Sequence, residues 1–574
     1  MTKRKGRWAA GLLAVSLWAS SALAEPRPAC TIRISDATRQ TGIRFRHVHG
    51  GNGQKYLAEF MVAGLALFDY DGDGLTDIYF LNGAPLPGTT TASPPRNALY
   101  RNNGDWSFSD VTESAGVGDP GHALGVVVGD YDHDGDADLF VNNFGPNVCY
   151  RNEGDGTFCD VTQQLQLAGG GHFGAGTCFL DLEGDGDLDL YVANYVAFSY
   201  ARHAQLMPTA FPYPPGPMDF PPIPDTLYRN NGDGSFRNAS LDSGIGKLAG
   251  PTMGVICGDW DDDGDTDIFV CNDAAANFHF VNDGRGHFHE SGVLSGLAYN
   301  LHGHANGSMG AECGDVDRDG RLDLFMTDYT GEMPVLYRNA GDGFFDDVTS
   351  SARLGRAAYT HTKWGSGLVD FDNDGDRDLF IACGHFLDNI REIDDTTDYR
   401  VPNILMQNAG DGTFRDVSAV CGDGLAVVDS SRGAGFDDLD NDGRVDGVIL
   451  NTNSQPTILR NDSPPGRHWL QIGLRGVRSN RDGVGARVRV VAGDLIQVAE
   501  VHAGRGYQSH HGSRLQFGLG DRARVDRIEV RWVGGDVDVF HDLAADRQLI
   551  LVEDSGVSGR AAQTTGEQQR QDGR

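Results

Sequence analysis

Seven copies of one acidic nonapeptide constrain this chain more than anything else in it. The pattern D-x-D-x-D-G-x-x-D begins at Asp69, Asp130, Asp259, Asp315, Asp370 and Asp438, and a variant with Glu183 in its third place begins at Asp181. The starts are separated by 61, 51, 78, 56, 55 and 68 residues, so one module recurs with connections of variable length. Self-similarity on this scale means that each unit buries its apolar face only against a neighbouring unit.

A second element lies between the acidic loops. It reads L-Y-R-N-x-G-D-G-x-F-x-D-V-T and covers Leu99–Thr112, Cys149–Thr162, Leu227–Ser240, Leu336–Thr349 and Leu405–Ser418, with a looser copy at Phe280–Glu290. Two apolar-aromatic runs around Asn-Gly-Asp-Gly predict a β-hairpin. Each module is then strand, acidic loop, strand, connection, strand, glycine turn, strand. Glycine supports this reading, since 79 of 574 residues is about twice ordinary usage and favours tight turns over long helices. Seven four-stranded antiparallel units predict an all-β, seven-bladed β-propeller over residues 25–462, with a linear solenoid as the alternative. The seventh module stops at Asn461-Asp462 without its return strand, while Ile34-Ser35-Asp36-Ala37-Thr38 matches Phe108–Thr112 near the other end. The N-terminal segment is therefore expected to complete the last blade.

The acidic loops set hard oxygen ligands around one point. The candidate ligands are Asp69, Asp71, Asp73 and Asp77; Asp130, Asp132, Asp134 and Asp138; Asp181, Glu183, Asp185 and Asp189; and Asp259, Asp261, Asp263 and Asp267. The same places hold Asp315, Asp317, Asp319 and Asp323; Asp370, Asp372, Asp374 and Asp378; and Asp438, Asp440, Asp442 and Asp446. Ca²⁺ accepts six to eight oxygens, so calcium is the expected cofactor, ahead of Mg²⁺ with its stricter octahedron. The alternative is a set of Asx-turn hairpin loops without metal.

After Pro464-Pro465-Gly466 the acidic repeat stops, and alternating runs such as Ala486–Val491, Gln497–Val501 and Ile528–Val533 predict antiparallel strands of a small β-sandwich or barrel over residues 463–554. The repeats resemble the FG-GAP/VCBS repeats of integrin-type propellers. His468–Ile472, Ser479–Val488, Gly504–Ser509, Leu515–Leu519 and Arg527–Trp532 are similar to the ASPIC/UnbV domain. Together the two sets resemble the cartilage acidic protein-like secreted family, and this resemblance implies calcium binding and an extracellular or periplasmic place without fixing an activity.

Lys3, Arg4, Lys5 and Arg7, an apolar run from Trp8 to Trp18, and Ala22-Leu23-Ala24 predict a cleaved signal peptide over residues 1–24. No later run is long enough to span a bilayer. Residues 555–574 are polar and are expected to be a disordered tail. The formal charge of −34, with lysine nearly absent after the leader, excludes a phosphate-neutralising nucleic-acid surface. Nine cysteines in an exported chain permit disulfides, and the spacing suggests Cys149 with Cys159 and Cys257 with Cys271, against buried free thiols. His122, His172, His302, His304 and His361, with His203 and His385 in insertions, are expected on the face opposite the acidic loops. HExxH, G-x-S-x-G and P-loop motifs are absent from the sequence. The leading expectation is an exported calcium-binding scaffold that recognises a protein or glycan through the insertions at Tyr195–Pro224 and Gly384–Asn403. The alternative is an exported metalloenzyme built on that histidine face.

Overall fold

The computed structural model describes residues 30–207 and 213–556. The leader expected over residues 1–24 lies outside them, as does nearly all of the tail. Seven four-stranded antiparallel sheets come first, each laid out in the order the repeat dictates. In the first, Leu65–Phe68, Asp77–Phe80, Ala98–Asn102 and Phe108–Asp110 pair in sequence, with the acidic loop joining the two inner strands. The innermost strands of the seven sheets are Leu65–Phe68, Ala123–Gly129, Gly174–Leu180, Thr252–Gly258, Ala311–Gly314, Lys363–Val369 and Ser431–Asp437. Each packs beside the next and the last returns to the first, so the sheets close into a ring and form a propeller rather than a solenoid. The last blade takes its outer strand from the other end of the chain, where Ile34, Ser35 and Asp36 pair with Asn461, Arg460 and Leu459.

Crowding at the axis explains glycines that turns do not require. A Cβ on Gly125 would meet the Ala175 carbonyl oxygen at 2.1 Å, and one on Gly254 would meet that of Met309 at 2.5 Å. Only a residue without a side chain lets neighbouring inner strands approach this closely.

The C-terminal domain consists of two sheets around a shared apolar core that includes Leu470, Val488, Phe517, Ile528 and Trp532. One sheet holds Leu515–Gly520, His468–Arg475 and Arg547–Val552, and the other holds Leu495–Glu500, Arg487–Ala492, Arg524–Arg531 and Val537–Ala544. The pairing is not wholly antiparallel as alternation alone suggested, because His468–Arg475 and Arg547–Val552 run parallel.

This domain sits on the acidic-loop face and sends residues 502–511 into the mouth of the ring. Its backbone bonds to four inner strands: Phe179 N to Ala503 O at 3.1 Å, Gly506 N to Ala311 O at 2.8 Å, Leu67 N to His510 O at 2.9 Å and Val126 N to Gln508 O at 3.3 Å. At its tip Tyr507 is fully buried among Leu124, Phe173, Met253, Met309 and Trp364, with its ring edge-on to Trp364 at 5.0 Å. Beside it Arg505 donates to the buried Glu312 at 2.6 Å. The axis is thus a filled core and not a channel.

Neither of the two suggested cysteine pairs is formed. Strand register is the reason. Cys159 lies opposite Arg151 and Cys257 lies opposite Ile268, while Cys271 faces Gly254.

Candidate metal centre

Each acidic loop is shaped by its first and last carboxylates. Asp69 accepts from Asp73 N at 3.1 Å and from Gly74 N at 2.8 Å, which curls the loop around its own start. Asp130, Asp181, Asp315, Asp370 and Asp438 accept from the equivalent two amides. Asp259 keeps only the bond from Gly264 N, at 3.1 Å. The ninth-position carboxylate ties the loop to its sheet, as Asp77 accepts from Tyr70 N at 3.1 Å and from Asn102 N at 2.7 Å. Glycine at the sixth position stands at positive φ, as at Gly135 with φ 101°, where a side chain would be strained.

Several third-position carboxylates keep one oxygen unpartnered. Asp71 Oδ1, Asp132 Oδ1 and Glu183 Oε2 are buried oxygens with no hydrogen-bond partner, and so is Asp259 Oδ1 in its loop. Oxygens of Asp69, Asp71 and Asp77 lie within 4.8 Å of one another, as do those of Asp130, Asp132 and Asp138; Asp259, Asp261 and Asp263; Asp315, Asp317 and Asp323; and Asp370, Asp372 and Asp374. That spacing suits one cation about 2.4 Å from each oxygen. Burial, first of all, pushes these carboxyls up, to about 8 at Asp77 and Asp323, about 9 at Asp138, and about 7 at Asp130, Asp181 and Asp438. Partnerless buried carboxylate oxygens are costly unless paired or metal-bound, so the residues present fit a hard divalent cation.

Some loops also carry arginine. Arg101 pairs with Asp71 at 2.7 Å and Asp73 at 3.0 Å. The C-terminal domain contributes Arg467 at Asp372 and Arg531 at Asp259, together with Gln471, whose amide reaches Asp438 at 2.8 Å, and Asp482, which accepts from Asp130 N at 2.8 Å. Four of the acidic loops are therefore touched by a second domain, which the repeat pattern gave no sign of.

The asparagine of the L-Y-R-N motif is a further residue whose role the pattern did not reveal. Asn152 donates to Tyr70 O in the preceding blade, Asn230 to Tyr131 O, Asn282 to Leu182 O, Asn339 to Trp260 O, Asn408 to Val316 O and Asn461 to Phe371 O. Asn102 donates to Leu439 O and completes the circuit. Its recurrence near the end of the third strand in every blade, after arginine in five of the seven, is the signal from which a blade-to-blade staple was legible.

The histidines expected on the other face do not converge. His302 and His304 line one pocket with Tyr359, whereas His172 lines another with Asn142 and Tyr228. His122 Nδ1 accepts from Ala84 N at 3.1 Å while Nε2 bonds Ala58 O at 3.0 Å, and burial lowers its pKa to about 4. His203 bonds Gln54 O and packs on Tyr56, and His385 bonds the Tyr329 hydroxyl at 3.0 Å. His361 is half-buried beside Lys363.

Residues 69–141, 130–192, 224–270, 259–326 and 315–381 match the FG-GAP-like repeat family, and residues 476–558 match the ASPIC and UnbV family. The chain is similar to cartilage acidic protein 1 of Mus musculus, with 24% identity over 500 residues that cover 85% of this chain and 64% of that protein. The Homo sapiens protein of the same name is 24% identical over 388 residues, 66% of this chain and 53% of that protein. The chain thus spans between half and two thirds of these relatives. Among solved structures, YCF48 bound to a D1 peptide is 9% identical with a TM-score of 0.38, covering 70% of this chain and 90% of that one. An Agrocybe aegerita lectin is 18% identical with a TM-score of 0.36, covering 62% and 79%. The repeats and the domain that follows them identify the chain as an FG-GAP-repeat protein with a C-terminal ASPIC and UnbV domain.

Proposed function

We propose that this chain is an exported calcium-binding propeller that serves as a recognition scaffold. The observation that supports it is the recurrence of one acidic loop in every blade, with buried carboxylate oxygens at Asp71, Asp132, Glu183 and Asp259 left without a hydrogen-bond partner. Calcium supplies charge neutralisation there. The chain supplies the carboxylates, the amides that orient them and the strands that hold each loop. Asp, Glu and backbone oxygens without nitrogen or sulfur favour Ca²⁺ over zinc or copper.

Export fits the basic leader, and no helix among the described residues is long and apolar enough to cross a membrane. Recognition of an extracellular or periplasmic protein or glycan is assigned to the insertion-bearing face, where the Tyr195–Pro224 insertion leaves Tyr213 and Met218 exposed and packs Phe198 against Phe173 and Phe220.

Thermal unfolding of the mature chain in excess chelator is the test. Loss of calcium at 100 times its dissociation constant removes about 2.7 kcal/mol per site, so the midpoint falls steeply, and Ca²⁺ restores it while equimolar Mg²⁺ does not. An unchanged midpoint in chelator overturns the calcium reading. Metal analysis of native protein decides between calcium and a transition metal.

A further inference from the structure

Two cysteines from different blades meet at the axis. Cys178 lies on the innermost strand Gly174–Leu180 and Cys257 on the neighbouring innermost strand Thr252–Gly258. The two strands pack side by side, and the Cys178 thiol reaches across to Val255 O on the strand that carries Cys257, at 3.6 Å. Both are buried, at 0% and 6% exposure, in one apolar cluster with Ala175, Leu180 and Val255. The strands that carry them are held close, since a Cβ on Gly176 would lie 3.2 Å from Val255 N. The C-terminal segment covers the pair, with Gly504 O 3.4 Å from Cys178 Sγ.

We propose that Cys178 and Cys257 form a disulfide that joins the third blade to the fourth. The proposal rests on export into an oxidising compartment, where such bonds persist. It differs from a pairing across the acidic loop, which register forbids. Formation is thiol–disulfide exchange with an oxidised dithiol or small-molecule disulfide. One cysteine sulfur attacks the acceptor's S–S bond and releases one acceptor thiol. The other then attacks the mixed disulfide, forms the Cys178–Cys257 bond and releases the second acceptor thiol. Two thiols are oxidised, one acceptor disulfide is reduced, and the two cysteine protons leave on the released thiols. Burial pushes the Cys257 thiol well up in the folded chain, so exchange belongs to the stage before residues 502–511 seat over the pair. The bond encloses the whole outer part of the third blade together with its Tyr195–Pro224 insertion.

The mature chain is to be prepared in two ways: purified without reductant from an oxidising compartment, and refolded in a glutathione redox buffer. After alkylation of free thiols, trypsin releases residues 152–202, with Cys159 and Cys178, and residues 248–285, with Cys257 and Cys271. The expected result is a disulfide between these two peptides that is lost in Cys178→Ser and in Cys257→Ser but kept in Cys159→Ser and in Cys271→Ser. Reductant should lower the melting temperature of the wild type and leave that of Cys257→Ser unchanged. Recovery of Cys178 and Cys257 as alkylated thiols from the refolded chain overturns the disulfide. A link present after refolding yet missing from cell-derived protein supports the chemistry and overturns export.

Discussion

Tyr507 offers a test in which two substitutions at one site should have opposite signs. Its ring is fully buried at the tip of the segment that fills the ring's mouth, edge-on to Trp364. Its hydroxyl is buried without a hydrogen-bond partner. Truncation to alanine removes a large aromatic side chain from a packed core, which costs about 3–5 kcal/mol. Tyr507→Phe keeps the ring and removes a hydroxyl whose unsatisfied burial costs about 1–3 kcal/mol, so it should be neutral or stabilising by about 1 kcal/mol. Urea denaturation of the full chain, followed by tryptophan fluorescence and by circular dichroism, reads both changes. The fluorescence of Trp364, which carries Arg432 4.2 Å from its ring centre, should shift earliest in the alanine variant. An alanine variant within 1 kcal/mol of wild type, or a phenylalanine variant destabilised by more than 1 kcal/mol, would refute the view that this segment is an anchored, dry plug.

Other expectations follow from the ring itself. Asn339→Ala leaves the Trp260 and Leu322 carbonyls without their donor and should cost about 1–3 kcal/mol, measured as a shift in the urea midpoint; an effect below 0.5 kcal/mol would remove the staple role. Deleting residues 30–43 should leave Thr457–Asn461 as an exposed edge and cause association, read by light scattering, whereas a monomeric and equally stable deletion variant would contradict closure by the N-terminal strand. His122, held neutral by burial with a folded pKa of about 4, contributes nothing above its unfolded value of 6.5. As pH falls from 6.5 toward 4 the unfolded chain binds a proton that the folded chain refuses, so stability declines across that window, by about 2 kcal/mol at pH 5. His122→Gln should remove that part of the acid sensitivity in denaturation curves at pH 7 and pH 5, and identical pH dependence in the two proteins would count against it.

The repeat made the ring legible, because an acidic loop and a glycine hairpin each dictate local geometry with residues a few positions apart. The strand that completes the last blade was legible too, since Ile34–Asp36 copies Phe108–Asp110. What spacing did not convey was contact between distant modules. Cys257 meets Cys178 and not Cys271 because neighbouring blades touch at the axis, and no local pattern encodes that approach. The same holds for residues 502–511, whose hydrogen bonds go to strands at Leu67, Val126, Phe179 and Ala311. Their sequence reads as an ordinary loop of a small β domain. That the histidines form no common site was hidden for a different reason: His122, His203 and His385 bond to backbone or tyrosine groups, a use of imidazole that residue type alone does not separate from metal ligation.

The pairing of Asp36 with Leu459 sets a clock on how this protein assembles. At about 5–20 residues per second of synthesis, the partner of the first strand is made some 20–85 s after it, so the first strand waits while six blades collapse beside it. Loop-closure entropy places so distant a contact late on the folding route. Native-state hydrogen exchange should therefore find the shortest-lived protected amides at Ile34 and Asp462, whose bonds to Cys421 O and Arg33 O bracket the seam. Six blades are each built from one continuous stretch of chain, and the seventh, closed by a strand from the other end, is where the ring is expected to open first.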